Sequence, residues 1–343
     1  MSRQIVIGDI HGCYDELVRL LEKISPREDD TVISLGDMLD RGPDSLKVFN
    51  LFRDRKNFGC IIGNHERKHI TGYYSYAQEI TRLQFNDEYE TAIHWLMQLP
   101  YYREYDSAIV VHAAIEPGIP LEDQREDVLC GASSGEKHLQ NKLCGKPWYE
   151  LYDGEKPIIF GHTVFDGTPM VYNDIVYGID TGACHGGRLT AITLPDFEFF
   201  SVQSGCDYWK ILKKEWQANV LYARPWNKMS WDNIEKEIAK IQYLINNKQC
   251  SDLIQFIEWK VKLDQLMDEI LNFVRNETKR ILDEVGNDDF PIMAKKYAYN
   301  QLLFQSKSGK LSIEGIKKKC PNPSALVNLA RKMNIDVSEL EMR

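Results

Sequence analysis

Short apolar runs alternate with amphipathic stretches through the first part of this 343-residue chain. The segments Arg3–Ile7, Thr31–Leu35 and Gly59–Ile62 are largely apolar and have the length of buried strands. Between the first and second strands, Tyr14–Ile24 places apolar residues at helical spacing and is predicted as a helix. Between the second and third strands, a helix is predicted over Ser45–Phe52, after a Gly-Pro turn. The pattern therefore predicts strand–helix–strand units.

Between residues 79 and 204, one predicted helix is followed by a series of predicted strands. A helix is predicted over Glu79–Leu99, ahead of Pro100. Further strands are predicted over Ala108–Val111, Pro157–Phe160, Ile175–Ile179, Leu189–Leu194 and Glu198–Val202. Strand–helix–strand units followed by a run of strands indicate a layered α/β fold with mixed sheets. In such folds, ligands gather beyond the carboxyl ends of the strands.

A different pattern begins after Gly205. A long helical pattern runs from Asp252 to Val285 with Gly286 as its stop, and a last helix is predicted over Ser324–Met333. An earlier helix is indicated by isoleucines at helical spacing, namely Ile234, Ile238, Ile241 and Ile245. We therefore predict a domain over residues 1–204 and a C-terminal all-α module over residues 205–343, whose apolar stripes form its own core and whose role the sequence leaves open.

Charge is distributed unevenly between these two parts. Residues 1–204 hold 19 Lys and Arg against 32 Asp and Glu, a balance of −13, while residues 205–343 hold 23 against 19, a balance of +4. Bound cations would offset part of the first excess. The second balance is only mildly basic, so nucleic-acid binding is permitted but not indicated.

The cysteines and the first residues bear on the compartment. Eight cysteines are scattered along the chain without a C-x-x-C pair, which predicts reduced, mostly buried thiols; a Cys130–Cys144 disulfide is the alternative. No apolar run reaches the roughly 18 residues of a membrane span. The chain begins almost directly with a predicted strand, without the pattern of a signal peptide. We therefore expect a cytoplasmic protein with no membrane partner.

Three glycine-flanked segments carry the candidate chemistry, and each follows a predicted strand. They are Gly8-Asp9-Ile10-His11-Gly12, Gly36-Asp37-Met38-Leu39-Asp40-Arg41-Gly42 and Gly63-Asn64-His65-Glu66. Asp9 and Asp37 are 28 residues apart, and Asp37 and Asn64 are 27 apart. Two later histidines, His112 and His162, also stand at strand ends.

These side chains form a ligand set for two metal ions: Asp9, His11, Asp37, Asn64, His112 and His162. Oxygen and imidazole ligands without thiolate favour Mn²⁺, Fe or Zn²⁺ in a catalytic site over a structural thiolate site. Two ions about 3.5–4 Å apart need a bridging carboxylate, and Asp37 is the central candidate. Such a pair would hold a bridging water, lower its pKa and stabilise charge on a phosphoryl group.

The three glycine-flanked segments and the two later histidines, in this order, resemble the five motifs of the calcineurin-like metallophosphoesterases in their phosphoprotein-phosphatase branch. That family carries D-x-H, G-D-x-x-D-R-G and G-N-H-[DE], followed by two single histidines. The stretches Gly178–Gly182 and Gly186–Ala191 also resemble the tail of bacterial diadenosine-tetraphosphatase-like members. The resemblance covers about residues 3–203 and implies an α/β/β/α sandwich with mixed sheets, followed here by the all-α module.

The resemblance also implies a role for each matching position. Asp9, His11 and Asp37 would hold one divalent ion, most typically Mn²⁺, and Asp37, Asn64, His112 and His162 the other. His65 would be the general acid, oriented and charge-stabilised by Asp40. Arg41 would clamp the phosphate, which Asn64 would also contact. The metal-bridging hydroxide would attack a phosphate monoester in line.

One departure from the family concerns the phosphate-binding arginines. A second arginine is usual between the two late histidines, but this chain has only Arg125 there, close after His112 and beside acidic residues. Arg188 or Lys146 could substitute for it. The remaining histidines, His69, His94, His138 and His185, are interpreted as structural.

Four functions follow as hypotheses. The first is a serine/threonine, or tyrosine, protein phosphatase, because Asp40-Arg41-Gly42 and Glu66 resemble that group. The second is a hydrolase of dinucleoside polyphosphates or nucleotides, motivated by the stretch Ile179–Ala191. The third is removal of terminal phosphates from RNA during repair, and the fourth is a non-catalytic scaffold. The intact ligand set disfavours the scaffold, because clustered carboxylates are costly to hold together without a metal.

Overall fold

The structure, a computed structural model, describes residues 2–246 and 253–340. Its contacts divide the chain into a first unit, Met1–Val220, and a second unit, Leu221–Arg343. The stretch from 205 to 220 thus groups with the first unit, while the domain boundary after residue 204 stays a prediction.

The described residues contain ten strands in two five-stranded sheets. In chain order the strands are β1 Gln4–Ile7, β2 Thr31–Ser34, β3 Phe58–Cys60, β4 Tyr102–Glu104, β5 Ile109–Val111, β6 Ile158–Phe160, β7 Met170–Tyr172, β8 Val176–Gly178, β9 Arg188–Leu194 and β10 Glu198–Gln203. One sheet has the order β10-β9-β1-β2-β3 and the other the order β4-β5-β6-β8-β7. Strands β1, β2 and β3 are parallel, as are β5, β6 and β8, whereas β4, β7, β9 and β10 pair antiparallel.

Helices flank the sheets in the first unit. They are α1 Tyr14–Ile24, α2 Ser45–Asp54, α3 Asn64–Thr71, α4 Tyr76–Phe85, α5 Tyr89–Leu96, α6 Glu126–Leu129, α7 Ser133–Lys142, α8 Tyr208–Glu215 and α9 Gln217–Ala223, of which α9 continues past the division at Val220. Strand β1 shows how the layers form. Its Ile5 and Ile7 belong to the apolar cluster shared with α1 and α2, while Val6 points the other way, into a cluster with β5 and β6.

The layers are therefore α/β/β/α, as expected from the resemblance. The two sheets pack face to face through Val6, Ile33, Val110 and Ile159, all of which are buried. Because β1, β2 and β3 run the same way, the three glycine-flanked segments all leave the first sheet at one edge. In the second sheet, His112 directly follows β5, and His162 lies two residues beyond the end of β6. The candidate site therefore lies where these strand ends meet.

One predicted helix is divided into two in the structure. The helix predicted over Glu79–Leu99 is two helices, α4 and α5, because Asn86 adopts φ 46° and ψ −120° and ends α4. Five of the helices given above, α3, α6, α7, α8 and α9, had not been predicted individually. In α3 and α7 the buried residues are few and mostly polar or small, for example Gly135 and Leu139 in α7, so these two helices carry little apolar periodicity.

The second unit is helical in its described part. Its helices are α10 Trp231–Asn246, α11 Ile254–Ala294, α12 Asn300–Lys307, α13 Ile313–Lys319 and α14 Pro323–Lys332. Gly286 interrupts α11 with φ 72° and ψ −178°, at the predicted stop. The predicted start at Asp252 lies outside the described residues. The apolar stripe of α11 is buried, including Trp259, Leu263 and Ile270.

Two further expectations can be compared with the structure. The seven described cysteines are all free, including Cys130 and Cys144, and five of the seven are buried. Cys250 lies outside the described residues. None of the helices in residues 2–246 and 253–340 combines the length and the apolar character that crossing a membrane requires.

Candidate metal centre

Left-handed backbone marks the candidate site. Five non-glycine residues of the predicted site have positive φ: His11 (46°), Asp37 (48°), Asp40 (71°), Arg41 (65°) and His162 (66°). This conformation is disfavoured for residues with a Cβ and is found where a functional geometry requires it. The turns that follow the strands therefore direct these side chains towards the candidate site, at the cost of an unfavourable backbone conformation.

Glycine is required where two of the segments cross. A Cβ on Gly63 would lie 2.3 Å from Oδ1 of Asp37, and a Cβ on Gly36 would lie 2.6 Å from the backbone nitrogen of Gly63. Both distances are shorter than any van der Waals contact. The glycines thus let the second and third segments approach each other closely enough for Asp37 and Asn64 to share one site.

His11, Asp37 and His65 form the first group of converging donor atoms. One side-chain atom from each lies within 4.8 Å of the others, and all three residues are buried. Nε2 of His11 is 3.6 Å from Oδ2 of Asp37. Nδ1 of His11 lies 2.9 Å from the carbonyl oxygen of Leu39, to which it donates, so that the lone pair is on Nε2.

Asp37, His112 and His162 form the second group. Nδ1 of His112 is bound to the carbonyl oxygen of Leu35 at 2.8 Å, which leaves Nε2 facing Oδ1 of Asp37 at 3.5 Å. Oδ1 of Asn64 lies 3.1 Å from Nε2 of His112 and 3.0 Å from Nδ1 of His162. Five of the six predicted ligands thus present donor atoms to two adjoining places, with Asp37 common to both.

Asp37 carries a charge at this shared position. Burial alone would raise the pKa of its carboxyl, but the facing His112, His65 and His11 outweigh burial and hold the pKa well below its usual range. The backbone N–H of His65 also donates to Oδ1 at 2.9 Å. Asp37 is therefore an ionised, buried carboxylate between two sets of imidazoles.

The sixth predicted ligand, Asp9, approaches the site beside His162. Its two oxygens lie 3.1 and 3.2 Å from the backbone nitrogen of His162. Burial, Asp180 and Asp37 together raise the pKa of Asp9 well above its usual value. These groups repel one another when ionised, and a bound cation would relieve that repulsion.

Asp180 itself was not assigned a role from the sequence. It is only 7% exposed, and burial is the main cause that raises its pKa to about 6. Its carboxylate accepts a hydrogen bond from the backbone of Gly182 at 3.0 Å. Its position directly after a predicted strand, the same signal that selected His112, could have identified it.

His65 and Asp40 form a buried pair. Nδ1 of His65 lies 2.6 Å from Oδ2 of Asp40, and both side chains are almost completely buried. Nε2 of His65 is buried and has no hydrogen-bond partner in the described residues. It lies 3.9 Å from Oδ2 of Asp37, so it is directed at the converging donor atoms.

Several other side chains hold Asp40 in place. Thr81 donates to Oδ1 at 2.5 Å, Gln78 donates to Oδ2, and Nε2 of His69 lies 3.0 Å from Oδ1. None of these was predicted to act at the site, and His69 was interpreted as structural. Because His69 is four residues after His65 on α3, helical spacing was a signal that could have linked the two.

Glu66 shapes the loop that carries Asp37. Its carboxylate accepts hydrogen bonds from the backbone nitrogens of Asp37 at 2.7 Å, Met38 at 3.0 Å and Leu39 at 3.4 Å, as well as from Gly63 at 3.1 Å. The fourth residue of the Gly-Asn-His-Glu motif thus ties the second segment to the third.

Three cations are candidates for contact with a phosphate. Nη1 of Arg41 lies 3.0 Å from Nε2 of His11, so its guanidinium is next to the first group of donor atoms. Lys146 is exposed and lines a cavity of about 290 Å³ that also includes His162 and Thr163. Arg188, at the start of β9, is exposed and does not line that cavity.

The donor set fits a pair of divalent ions, because imidazole nitrogens, carboxylate oxygens and an amide oxygen converge without a thiolate. The profile of the Calcineurin-like phosphoesterase family matches residues 2–248. The chain belongs to this family. It is therefore a metallophosphoesterase, a hydrolase of phosphoric esters that uses divalent metal ions.

This phosphoesterase is similar to several bacterial proteins. It is 30% identical over 234 residues to the asymmetrical bis(5′-nucleosyl)-tetraphosphatase PrpE of Bacillus velezensis, with 59% of this chain and 93% of the relative covered. It is 32% identical over 242 residues to PrpE of Bacillus cereus, with 59% and 95% covered. A solved chain assigned as a diadenosine tetraphosphatase superposes with a TM-score of 0.50 at 28% identity, covering 59% of this chain and 94% of that chain.

Proposed function

We propose that this phosphoesterase hydrolyses phosphate monoesters of alcohols, with serine/threonine phosphoprotein as the leading substrate class. The observation that carries the proposal is the unpartnered, buried Nε2 of His65, whose other ring nitrogen is held by Asp40 at 2.6 Å. This arrangement suits a general acid directed at a leaving oxygen.

The ligand roles are those that the family resemblance implies, and the two groups of donor atoms support them in part, because His11, Asp37, His112 and His162 belong to these groups. Asp9, His11 and Asp37 are proposed to hold one ion, and Asp37, Asn64, His112 and His162 the other, with Mn²⁺ as the leading metal and Fe or Zn²⁺ as alternatives. When bound, such ions lower the pKa of a coordinated water and offset the charge of the phosphoryl group. The amide of Asn64 also faces the substrate phosphate in this proposal.

The remaining side chains act on the phosphate and the proton. Arg41 binds non-bridging phosphate oxygens through its planar guanidinium. His65 donates the proton on Nε2 to the leaving oxygen and keeps the proton on Nδ1 shared with Asp40. The Asp40 carboxylate stabilises the imidazolium before transfer, as a carboxylate partner does for other catalytic histidines.

The leaving group separates the leading substrate class from its rivals. A serine or threonine alkoxide is a strongly basic leaving group and needs a proton in the transition state, whereas a phosphate anhydride releases a weakly basic phosphate. A tyrosine phenol, with a pKa of about 10, lies between the two. A buried and fully oriented acid is therefore of most value on alkyl esters.

A second candidate is hydrolysis of dinucleoside polyphosphates. It is supported by the two PrpE relatives, which are bis(5′-nucleosyl)-tetraphosphatases and align over 93% and 95% of their length. The exposed Lys146 in the cavity beside His162 would offer a positive charge for additional phosphates.

A substrate panel tests both candidates. Phosphoserine and phosphothreonine peptides, a phosphotyrosine peptide, diadenosine tetraphosphate and a 3′-phosphorylated oligonucleotide are compared by kcat/KM with Mn²⁺ present. The proposal expects the highest value on the phosphoserine or phosphothreonine peptide. A higher value on diadenosine tetraphosphate would replace it by the second candidate, and a higher value on the oligonucleotide would favour RNA-end processing. No turnover of any of them, or of nitrophenyl phosphate, would favour a scaffold.

We also propose a cytoplasmic location. The seven described cysteines are free thiols, as expected in a reducing compartment. Fractionation of cells that express the tagged chain tests this, with recovery in the membrane or secreted fraction as the opposing result.

A further inference from the structure

His69 extends the buried pair of His65 and Asp40 by one more side chain. Its Nε2 lies 3.0 Å from Oδ1 of Asp40, while His65 contacts Oδ2 of the same carboxylate. Its Nδ1 lies 2.8 Å from the hydroxyl oxygen of Tyr89. The side chains of His69 and Asp40 are both 0% exposed. Both ring nitrogens of His69 are therefore in use, and the ring cannot turn without losing two hydrogen bonds.

The far end of this chain of contacts is also rigid. Burial raises the pKa of Tyr89, with a further contribution from its hydrogen bond to Tyr74, so the phenol keeps its proton. The guanidinium of Arg82 lies over the rings of Tyr74 and Tyr89, at 4.6 and 5.6 Å. Tyr89 can thus act as a fixed hydroxyl partner for His69.

The Asp40 carboxylate is held by hydrogen bonds on both of its oxygens. It accepts from His65 and Gln78 on Oδ2 and from His69 and Thr81 on Oδ1. A carboxylate offers about four acceptor positions, so all are filled. Loss of His69 would leave Thr81 as the remaining donor to Oδ1 and one buried acceptor position unsatisfied. The carboxylate would then be held on one side only and could turn about its Cβ–Cγ bond, which would move Oδ2 away from Nδ1 of His65.

We propose that His69 is a positioning residue for the hydrolysis, which holds Oδ1 of Asp40 so that Oδ2 keeps His65 aligned with the leaving oxygen. The inference rests on the proposed role of His65 as the general acid. The two ring nitrogens of His69 are bound to Asp40 and Tyr89, neither of which is a predicted metal ligand, so His69 acts through Asp40. The proton still moves from Nε2 of His65 to the leaving oxygen, and the proton on Nδ1 stays between His65 and Asp40.

Dependence on the leaving group tests the proposal, because a merely structural residue would affect all substrates alike. His69→Leu is expected to lower kcat at least about tenfold on an alkyl phosphate such as phosphoserine peptide, with KM nearly unchanged. The same variant is expected to change kcat on nitrophenyl phosphate less than about threefold. His69→Gln, which keeps a donor towards Asp40, is expected to restore part of the loss.

Two further variants keep the test informative if His69→Leu folds poorly. Tyr89→Phe removes only the hydroxyl that binds Nδ1 of His69, and we expect a smaller loss with the same leaving-group dependence. His94→Leu is the matched control, because His94 is an exposed histidine on α5 whose Nδ1 lies 2.7 Å from the carbonyl oxygen of Glu90. It is expected to leave both substrates unaffected.

A double variant separates this inference from the proposed function. In a His65→Ala background, His69→Leu is expected to cause no additional loss on the alkyl phosphate, because the acid that it positions is absent. Independent, multiplicative losses would overturn the inference while leaving the role of His65 intact. Equal losses of His69→Leu on both substrates would overturn it as well. By contrast, a wild-type protein that leaves the alkyl phosphate unhydrolysed, or a His65→Ala variant without leaving-group dependence, would refute the proposed function itself.

Discussion

Oδ2 of Asp37 lies 3.6 Å from Nε2 of His11, while the other oxygen of the same carboxylate faces His112 at 3.5 Å. One buried side chain therefore joins the two groups of converging donor atoms. It is the arrangement that a bridging ligand between two metal ions requires.

Asp37→Asn is expected to lower metal content and activity together. The amide loses one anionic oxygen and most of the attraction for two cations, so we expect less bound Mn²⁺ per chain and a fall in kcat of more than about 100-fold. Metal analysis after desalting and initial rates on nitrophenyl phosphate measure both effects. Asp15→Asn, an exposed change on α1, serves as the control. Full metal occupancy with full activity in Asp37→Asn would refute the bridging role.

His65→Ala is expected to divide substrates by leaving group. Without the proton donor, kcat on phosphoserine peptide should fall by about 10²–10³-fold, while nitrophenyl phosphate, with its weakly basic leaving group, should lose less than about tenfold. Steady-state rates on both substrates, with metal content measured in parallel, provide the comparison. Equal losses on the two substrates would contradict the assignment of His65 as general acid.

Lys146→Met is expected to discriminate between the two candidate substrate classes. Lys146 lines the cavity beside His162, so its charge should attract the additional phosphates of diadenosine tetraphosphate. We expect KM for that substrate to rise about threefold to tenfold, with little change for a small monoester. Lys137→Met, an exposed change on α7 outside the cavity, is the matched control. An unchanged KM for diadenosine tetraphosphate would remove Lys146 from the list of phosphate contacts.

Asp30→Asn is expected to destabilise the protein in a pH-dependent way. Hydrogen bonding to Arg3, at 2.6 Å, is the main cause that lowers the pKa of Asp30 to about 2, against about 3.9 in an unfolded chain. A lowered pKa stabilises the fold above the unfolded value, and that contribution, on the order of 2 kcal/mol, is lost as pH falls from about 4 towards 2.

Thermal melts of the two proteins between pH 7 and pH 3 measure this difference. The gap in Tm should be largest near neutral pH and shrink below about pH 4. Asp29→Asn, at the exposed neighbouring position, should show no such gap. A gap between wild type and Asp30→Asn that stayed constant down to pH 3 would count against the ion pair as its source.

Much of the fold was accessible from sequence because its signals are local. The eight predicted strands are all present, since each is a short apolar run bounded by turn residues. The predicted ligands could be selected for a similar reason: they lie within four residues of a strand end, and parallel strands bring their carboxyl ends to one edge. Helices such as α7 escaped prediction because they bury few apolar side chains.

The sequence by itself determined which side chains are candidates for the chemistry of this protein: the predicted metal ligands, the histidine proposed to carry a proton and the arginine proposed to bind the phosphate. Only the tertiary structure decided how those groups are held. Gln78 and Thr81 reach Asp40 from α4, 38 and 41 residues away along the chain, and Asp180 approaches Asp9 from a different sheet. Gln78 and Thr81 share no motif or spacing with Asp40, because their contacts arise from the packing of a separate helix against the site.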